Sequence, residues 1–363
     1  MRALKIGNLF AEVPVVQGGM GVGISLSGLA SAVAEQGGIG VISSAGLGVI
    51  YRNLSTDYRL ASIEGLKREL RAAREKTRGI IGVNVMVAMS NFADMVKTAI
   101  AEKADIIFSG AGLPLNLPSF LTDGAKTKLA PIVSSVRAAK LLCAKWFSDY
   151  GYTPDAIVVE GPKAGGHLGY KTEQIDDKEF SLETVVPQVV EEVGDFAVSH
   201  NCHIPVIAGG GVYTGEDIFN IMSLGADGVQ MGTRFVTTEE CDAAPAFKQS
   251  YIDASAEDIE IINSPVGMPG RAIHNSFLER VKAGLTRPES CPFDCIRTCD
   301  VTRSPYCIML ALYNAFRGRL QRGYAFCGSN AWRAEKIVSV KELIASLKRE
   351  YDESLLRKVL SLR

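Results

Sequence analysis

No apolar stretch in this 363-residue sequence is long enough to span a membrane, because glycines interrupt each one. No block of lysine and arginine stands out either, and the formal net charge is −1. A nucleic acid or an anionic membrane surface is therefore not an expected partner. The chain begins at Met1 without the apolar core and small-residue cleavage site of a secretion signal. These absences predict a soluble, cytoplasmic protein.

A disulfide framework is also not expected, since eight cysteines are few for a chain of this length. Four of the cysteines nevertheless crowd together with the spacing C-x3-C-x3-C-x7-C. Thiolates this close can bind an iron–sulfur cluster or a zinc ion, and they can equally be buried thiols without a ligand. The sequence leaves both interpretations open. The four residues are Cys291, Cys295, Cys299 and Cys307.

Short, apolar, β-branched runs alternate along the chain with stretches of helical periodicity. Hydrophobic residues make up 47% of the sequence, enough for a large core. Runs this short and this continuously apolar are typical of parallel strands buried on both faces. The eight predicted strands are residues 13–16, 38–42, 80–85, 105–108, 130–133, 156–159, 204–208 and 228–231.

Eight strands interleaved with helices within about 235 residues match the size of a (β/α)8 barrel, the TIM barrel. A doubly wound open sheet is the alternative, but no dinucleotide-binding G-x-G-x-x-G follows the first run. We therefore predict an α/β fold with a TIM barrel over residues 1–235. Residues 236–363 are predicted to form a mostly helical region on the substrate side, and this region contains the cysteine-rich segment 291–307.

Glycines follow the last two predicted strands. Gly209–Gly211 comes after the seventh strand, and Gly232 and Thr233 come after the eighth. In TIM barrels these two loops commonly bind a phosphate through backbone N–H groups, and glycines remove the side chains that would block those groups. The helix after the first loop begins at Thr214, which can form a capping box with Asp217. The position of these glycines indicates a site for a phosphate-bearing ligand. The alternative explanation is that the glycines only allow two strand-to-helix turns to pack tightly.

The sixth predicted strand runs into a glycine-rich loop, residues 161–169, that contains His167. Glycines at a strand end let the backbone approach a flat ligand, and an imidazole can exchange protons near neutral pH. By itself this histidine loop could also be a structural turn. The other histidines are less suitably placed, because His200 and His203 lie at the opposite end of the predicted barrel and His274 follows it.

The histidine loop and the segment Val16–Gly21 resemble motifs of the nitronate monooxygenase (2-nitropropane dioxygenase-like) family, which includes the flavin-type enoyl-ACP reductases. The resemblance covers residues 10–275 well and the remainder poorly. It implies an oxidoreductase that binds FMN, with the flavin ring along the first loop and its phosphate at the last two. The residues that it assigns to FMN are Gln17, Gly18, Gly19, Met20, Asn84, Gly166, Gly210, Gly211, Gly232 and Thr233.

The resemblance also implies that His167 is the catalytic acid–base residue. In a nitronate monooxygenase it would take a proton from the carbon next to a nitro group, and oxygen would complete conversion to a carbonyl compound and nitrite. In an enoyl-thioester or quinone reductase that uses NAD(P)H, the same imidazole would stabilise or protonate an enolate. We predict the monooxygenase, with the reductase as the alternative. A barrel that binds a phosphorylated metabolite without redox chemistry and a sensor without turnover are further alternatives, and a homodimer is an open expectation.

Two segments depart from the family pattern. One is the cysteine cluster, and the other is Gly328–Arg333, where the family has a glycine–glutamine segment that reaches toward the flavin. Both lie in the poorly matched remainder of the chain, so we expect substrate specificity to be determined there. An iron–sulfur cluster would hint at anaerobic life and would favour the reductase.

Overall fold

The computed structural model describes residues 1–361. A hairpin of two short strands, β1 (Leu4–Ile6) and β2 (Leu9–Ala11), precedes eight parallel strands that close into a barrel. All eight strands predicted from the sequence are therefore confirmed. The barrel strands are β3 (Val15–Gln17), β4 (Ile39–Ser43), β5 (Ile80–Met86), β6 (Ile106–Gly110), β7 (Lys128–Val133), β8 (Ile157–Glu160), β10 (Val206–Gly209) and β11 (Gly228–Met231).

Helices surround the barrel, as a TIM barrel requires. A single 3-10 turn, Leu117–Phe120, replaces the helix between β6 and β7. No helix in the described part of the chain is long and apolar enough to cross a membrane. The helices up to residue 236 are α1 (Ser27–Glu35), α2 (Leu47–Ile50), α3 (Tyr58–Lys76), α4 (Phe92–Ala101), α5 (Val136–Tyr150), α6 (Leu182–Ser199), α7 (Gly215–Ser223) and α8 (Thr233–Val236).

Two layers of apolar side chains hold the barrel together. The inner layer fills the barrel, and Leu4 and Ile6 of the unpredicted β1–β2 hairpin pack into it with residues such as Phe108. The outer layer lies between the strands and the helices. The barrel interior is therefore a packed core, and a ligand has to bind at one end of it.

After residue 236 the chain forms helices, as predicted, and one hairpin that the sequence did not predict. The second strand of this hairpin pairs with β9 (Gly166–His167), a short strand in the histidine loop. The last helix packs so closely on α7 that a Cβ on Gly215 would lie 2.2 Å from the Leu347 carbonyl oxygen. The boundary near residue 235 stays a prediction. The elements are α9 (Pro245–Ile252), β12 (Ile259–Asn263), β13 (Pro269–Ile273), α10 (Ser276–Lys282), α11 (Ile308–Phe316) and α12 (Val340–Ser361).

Candidate active site

A cavity of about 440 Å³ opens where the barrel strands end at their carboxyl termini. This is the end of a TIM barrel at which active sites lie, and the volume is that of a small-molecule site. The loops after the strands form its floor, and post-barrel residues form an apolar wall. That wall includes Ile296, Ile308, Met309, Leu312 and Phe326.

The two glycine loops meet at one side of this cavity. Gly210, Gly211, Gly232 and Thr233, hereafter the glycine cradle, all line it, and their backbone N–H groups make no hydrogen bond to residues 1–361. Gly210 has φ 108° and Gly211 has φ 89°, both in the region that favours glycine. Backbone N–H groups that have no partner and no side chain in front of them are suited to bind an anion.

The loop after the glycine cradle is fixed by the capping box predicted from the sequence. The Asp217 carboxylate accepts hydrogen bonds from the backbone N–H groups of Tyr213 (2.9 Å) and Thr214 (2.8 Å). The Thr214 hydroxyl accepts one from the Asp217 N–H at 3.1 Å. These bonds start α7 directly after the cradle, so the cradle backbone is held from the helix side.

Residues 327–330, hereafter the covering segment, lie over the glycine cradle. The Gly328 N–H donates to Thr233 Oγ1 (2.8 Å), and the Asn330 side-chain amide donates to the Gly211 carbonyl oxygen (2.6 Å). A Cβ on Gly165 would lie 2.7 Å from the Cys327 carbonyl carbon, so the histidine loop packs directly against the covering segment. The segment that departs from the family pattern therefore still reaches the predicted cofactor site.

A second part of the cavity floor is a strip of backbone in the loop after β3, the strand that pairs with β11. Gly18, Gly19 and Met20 line it together with Asn84 from β5. A Cβ on Gly19 would lie 2.2 Å from the Asn84 Cβ, so only glycine permits this packing. The Asn84 side-chain amide makes no hydrogen bond to another described residue and faces the cavity. The structure therefore brings these four predicted residues to one surface that a flat ring can cover.

Gln17 is a correction to the predicted site. It is fully buried and does not line the cavity. Its amide oxygen accepts from the Val41 N–H at 3.0 Å, and its amide nitrogen donates to the Val41 carbonyl oxygen at 3.3 Å. β3 and β4 share a single register pair, Val16 with Ile39, so this amide extends their ladder in place of a backbone peptide.

The post-barrel hairpin holds the histidine loop in place. In the sheet order β12-β13-β9, Gly270 pairs with His167 and Arg271 pairs with Gly166. The buried Arg271 guanidinium also donates to the carbonyl oxygens of Pro162 (2.8 Å) and Ala164 (2.6 Å). The backbone on both sides of the loop is thus fixed by one hairpin, and Gly166 and His167 face the cavity.

The His167 imidazole lies in the cavity wall with one polar partner. Its Nε2 is 2.7 Å from Ser264 Oγ, and its ring contacts the Phe326 ring at 5.0 Å between centroids. Burial lowers the pKa of His167 to about 4. The imidazole is therefore neutral at pH 7 and can use one ring nitrogen as a donor and the other as an acceptor. Ser264 has no recognisable signal in the sequence, because no motif connects it to His167.

Glu160 is a second ionisable group in the cavity, at the end of β8. Its side chain accepts no hydrogen bond from the described residues, while its carbonyl oxygen accepts one from the Tyr170 hydroxyl at 2.6 Å. Burial raises the pKa of Glu160 to about 7. The sequence assigns this residue no role, because a glutamate after a strand is equally typical of a solvated loop.

The raised pKa of Glu160 predicts a pH-dependent stability of the ligand-free protein. The folded state holds this proton more tightly than the unfolded state, so stability is highest below the unfolded pKa of about 4.5 and falls as pH rises toward 7. Replacing Glu160 with Gln removes the ionisation. We expect Glu160→Gln to be more stable than the natural protein by about 2 kcal/mol at high pH, since the side chain is partly open to the cavity.

Urea unfolding at about pH 5 and about pH 8 measures this difference. The exposed Glu191→Gln serves as the matched control, because it removes the same charge from the surface of α6. A gain in stability of equal size for both variants at high pH would contradict a local effect of the cavity.

Three of the four clustered cysteines, Cys295, Cys299 and Cys307, pack in or against the apolar cluster beside the cavity wall, whereas Cys291 is exposed. All four thiols are free, and Cys295 packs with Ile296, Ile308 and Met309 in one apolar cluster. Within residues 1–361, no group of three or more His, Cys, Asp or Glu side chains is placed to hold a metal ion. The structure therefore gives the metal-binding interpretation of this spacing no support.

Comparison with known proteins agrees with the geometry of the cavity. The family model for nitronate monooxygenase matches residues 2–350 of the chain. The chain belongs to the nitronate monooxygenase family. It is accordingly an oxidoreductase, and the fold and family predicted from its motifs are confirmed.

Relatives of this nitronate monooxygenase family member come from several bacteria. A probable nitronate monooxygenase of Staphylococcus saprophyticus is 25% identical over 298 residues, 76% of this chain and 79% of that protein. The (3aS,4S,5R,7aS)-5-hydroxy-7a-methyl-1-oxo-octahydro-1H-indene-4-carboxyl-CoA dehydrogenase of Mycobacterium tuberculosis is 29% identical over 273 residues, 75% of this chain and 66% of that protein. FabK from Thermotoga maritima has a TM-score of 0.74 and 26% identity, and the match covers 97% of this chain and 96% of that one.

Members of the nitronate monooxygenase family are flavin-dependent, and the residues present fit a flavin mononucleotide. The glycine cradle supplies unpartnered N–H donors where a phosphate needs them. The strip at Gly18–Met20 supplies a flat contact, and the apolar wall leaves room above it. Both predicted ends of the cofactor site thus lie in one cavity.

Proposed function

We propose that this chain binds FMN and oxidises nitronates and nitroalkanes to carbonyl compounds and nitrite. The observation that carries the proposal is the neutral His167 in the wall of a cavity whose floor suits a flavin. An acid–base group beside the cofactor is what this chemistry needs in addition to the flavin. The family match supports the reaction class.

The chain would hold FMN at two places. The glycine cradle would bind the phosphate through four backbone N–H groups, which carry no bulky side chain in the way of the anion. Gly18, Gly19 and Met20 would lie along the ring, and the Asn84 amide would donate to it or to the ribityl chain. The covering segment would close the phosphate side against water.

When bound in this cavity, FMN would supply the redox chemistry, which is electron acceptance from the substrate and electron transfer to oxygen. The residues around it orient the substrate and exchange a proton or a hydrogen bond with it. His167 is neutral at pH 7, so it can either accept a proton at an unprotonated nitrogen or donate from its N–H. The wall of Ile308, Met309 and Leu312 excludes water from the substrate side, which strengthens any hydrogen bond to a charged oxygen.

An enoyl-thioester or quinone reductase that uses NAD(P)H is the second candidate. The apolar wall favours it, because a wall of this size contacts an acyl chain or ring better than a small nitronate. The relative from Mycobacterium tuberculosis, whose name describes a carboxyl-CoA dehydrogenase, also supports a thioester substrate. His167 would then donate a hydrogen bond or a proton to the substrate carbonyl.

Anaerobic mixing of the FMN-loaded protein with each electron donor separates these reactions. We expect an alkyl nitronate to bleach the flavin absorbance, and we expect NADH and NADPH to leave it unchanged. Bleaching by a nicotinamide but not by a nitronate would establish the reductase instead. Bound FMN that no donor reduces would indicate a sensor, and a protein that cannot be loaded with FMN would indicate a barrel without redox chemistry.

A further inference from the structure

We propose that Ser264 fixes the tautomer of His167, so that the imidazole carries its proton on Nδ1 and presents this N–H to the substrate. The inference rests on the proposed function for the identity of the substrate, but the tautomer itself follows from the arrangement of donors and acceptors. It makes the resting site complementary to an anionic or carbonyl oxygen, such as that of a nitronate, rather than to an acidic C–H.

Ser264 is held by the turn that joins β12 and β13. Its side chain is 7% exposed, and its Oγ lies 2.7 Å from His167 Nε2. Its backbone N–H donates to the Met268 carbonyl oxygen at 3.1 Å, and its carbonyl oxygen accepts from Gly267 at 3.0 Å. Because β13 also pairs with β9, the hairpin fixes both the serine and the histidine backbone. The hydroxyl is therefore a rigid partner of the imidazole.

The direction of this hydrogen bond follows from the other contact of the hydroxyl. Ser264 Oγ accepts a hydrogen bond from the Val266 N–H at 3.5 Å, its only other polar contact among residues 1–361. In the contact with the Val266 N–H the hydroxyl oxygen is the acceptor, so the hydroxyl proton is left without a partner there. The acceptor within reach of that proton is His167 Nε2. If Nε2 carried a proton instead, the buried hydroxyl proton would lack a partner, which is unfavourable. Ser264 thus donates, and Nε2 accepts.

A neutral imidazole that accepts at Nε2 carries its proton on Nδ1. The Nδ1 atom makes no hydrogen bond within residues 1–361, and the ring borders the cavity. The free N–H is therefore available to a substrate oxygen. A nitronate carries its negative charge on two oxygens, and a hydrogen bond to an anion in an apolar site is stronger than one to a neutral group. A neutral nitroalkane would need an unprotonated nitrogen, and the unprotonated one faces Ser264.

Nitrogen-15 NMR of the FMN-loaded protein, labelled at histidine, measures the tautomer directly. Two-bond correlations distinguish a protonated from an unprotonated ring nitrogen, and the His167→Gln variant identifies the signals of His167. We expect a protonated Nδ1 and an unprotonated Nε2 at neutral pH. A proton on Nε2 in the natural protein, or on both nitrogens, would overturn the proposal without any variant being needed.

Two variants of Ser264 test its effect. We expect Ser264→Ala to give a mixture of both tautomers and Ser264→Thr, which keeps the hydroxyl, to restore the natural pattern. In Ser264→Ala we expect kcat/KM for an alkyl nitronate to fall about tenfold, the factor that one ordinary hydrogen bond is worth. For the matching neutral nitroalkane we expect kcat/KM to fall much less, because one of the two tautomers in the Ala variant presents an unprotonated ring nitrogen to the cavity. An equal loss for both substrates would indicate a merely structural role.

The two proposals fail in different experiments. If a nitronate does not reduce the flavin of the natural protein but the NMR signals show the proton on Nδ1, the proposed function is wrong and the tautomer assignment stands. If the nitronate reduces the flavin and the proton is on Nε2, the function stands and the role of Ser264 is wrong. The tautomer is also suited to an enoyl thioester, whose carbonyl oxygen would accept a hydrogen bond from the same N–H.

Discussion

A His167→Ala variant is expected to keep its flavin. Its turnover number with a nitro or enoyl substrate is expected to fall by a factor of between about 10² and 10⁴. The imidazole is on the cavity wall and its hydrogen bond is to Ser264, not to the glycine cradle, so we expect its removal to leave the predicted phosphate contacts in place. Ser264 is poorly placed to take over its hydrogen bond, because it lies in the wall beside the imidazole and is itself buried.

Steady-state oxygen consumption and nitrite release, with the flavin spectrum as a check of loading, measure this loss. His203→Ala is the matched control, since His203 is exposed just before β10, at the opposite end of the barrel. We expect the control to retain its turnover. Unchanged turnover in His167→Ala would remove the imidazole from the mechanism and would leave Glu160 as the ionisable group to test next.

The barrel could be predicted from the sequence because its cause is local. A parallel strand that is buried on both faces leaves a continuous apolar run, as in Ile80–Met86, and such runs stay visible without knowledge of the fold. The glycine cradle is visible for a similar reason, because Gly210 and Gly211 adopt positive φ angles that other residues disfavour. Both features depend on the type of residue at each position and not on contacts with distant parts of the chain.

The missed features depend on contacts between distant parts of the chain. The β12–β13 hairpin is specified by its pairing with β9, about a hundred residues earlier, and Ser264 meets His167 only through that pairing. The Gln17 assignment was wrong for the same reason. The family resemblance assigned it to FMN, but the short β3–β4 ladder leaves Val41 with backbone groups that the Gln17 amide satisfies. No local sequence pattern indicates that the Val41 backbone lacks hydrogen-bond partners.

Replacing Gly210 with Ala is expected to weaken FMN binding by about 100-fold or more, which corresponds to the loss of one or two hydrogen bonds to a charged group. Its φ of 108° is unfavourable for alanine, and the new Cβ would lie 2.8 Å from the Gly161 carbonyl oxygen and 3.2 Å from the Ala164 nitrogen. These are backbone atoms of the histidine loop and cannot rotate away. The cradle backbone must therefore move, and its N–H groups lose their positions.

Fluorescence titration of the flavin-free variants with FMN measures the affinity, and circular dichroism checks that they are folded. Gly151→Ala is the matched control, because Gly151 also has a positive φ, 61°, but a Cβ there meets nothing within 4 Å. It should lose about 1 kcal/mol of stability through backbone strain and bind FMN normally. A milder loss is expected for Gly232→Ala, whose φ is ordinary and whose Cβ would meet only the flexible Met20 side chain at 3.3 Å. If folded Gly210→Ala bound FMN as tightly as the natural protein does, the phosphate would have to bind elsewhere, and the orientation proposed for the flavin would be wrong.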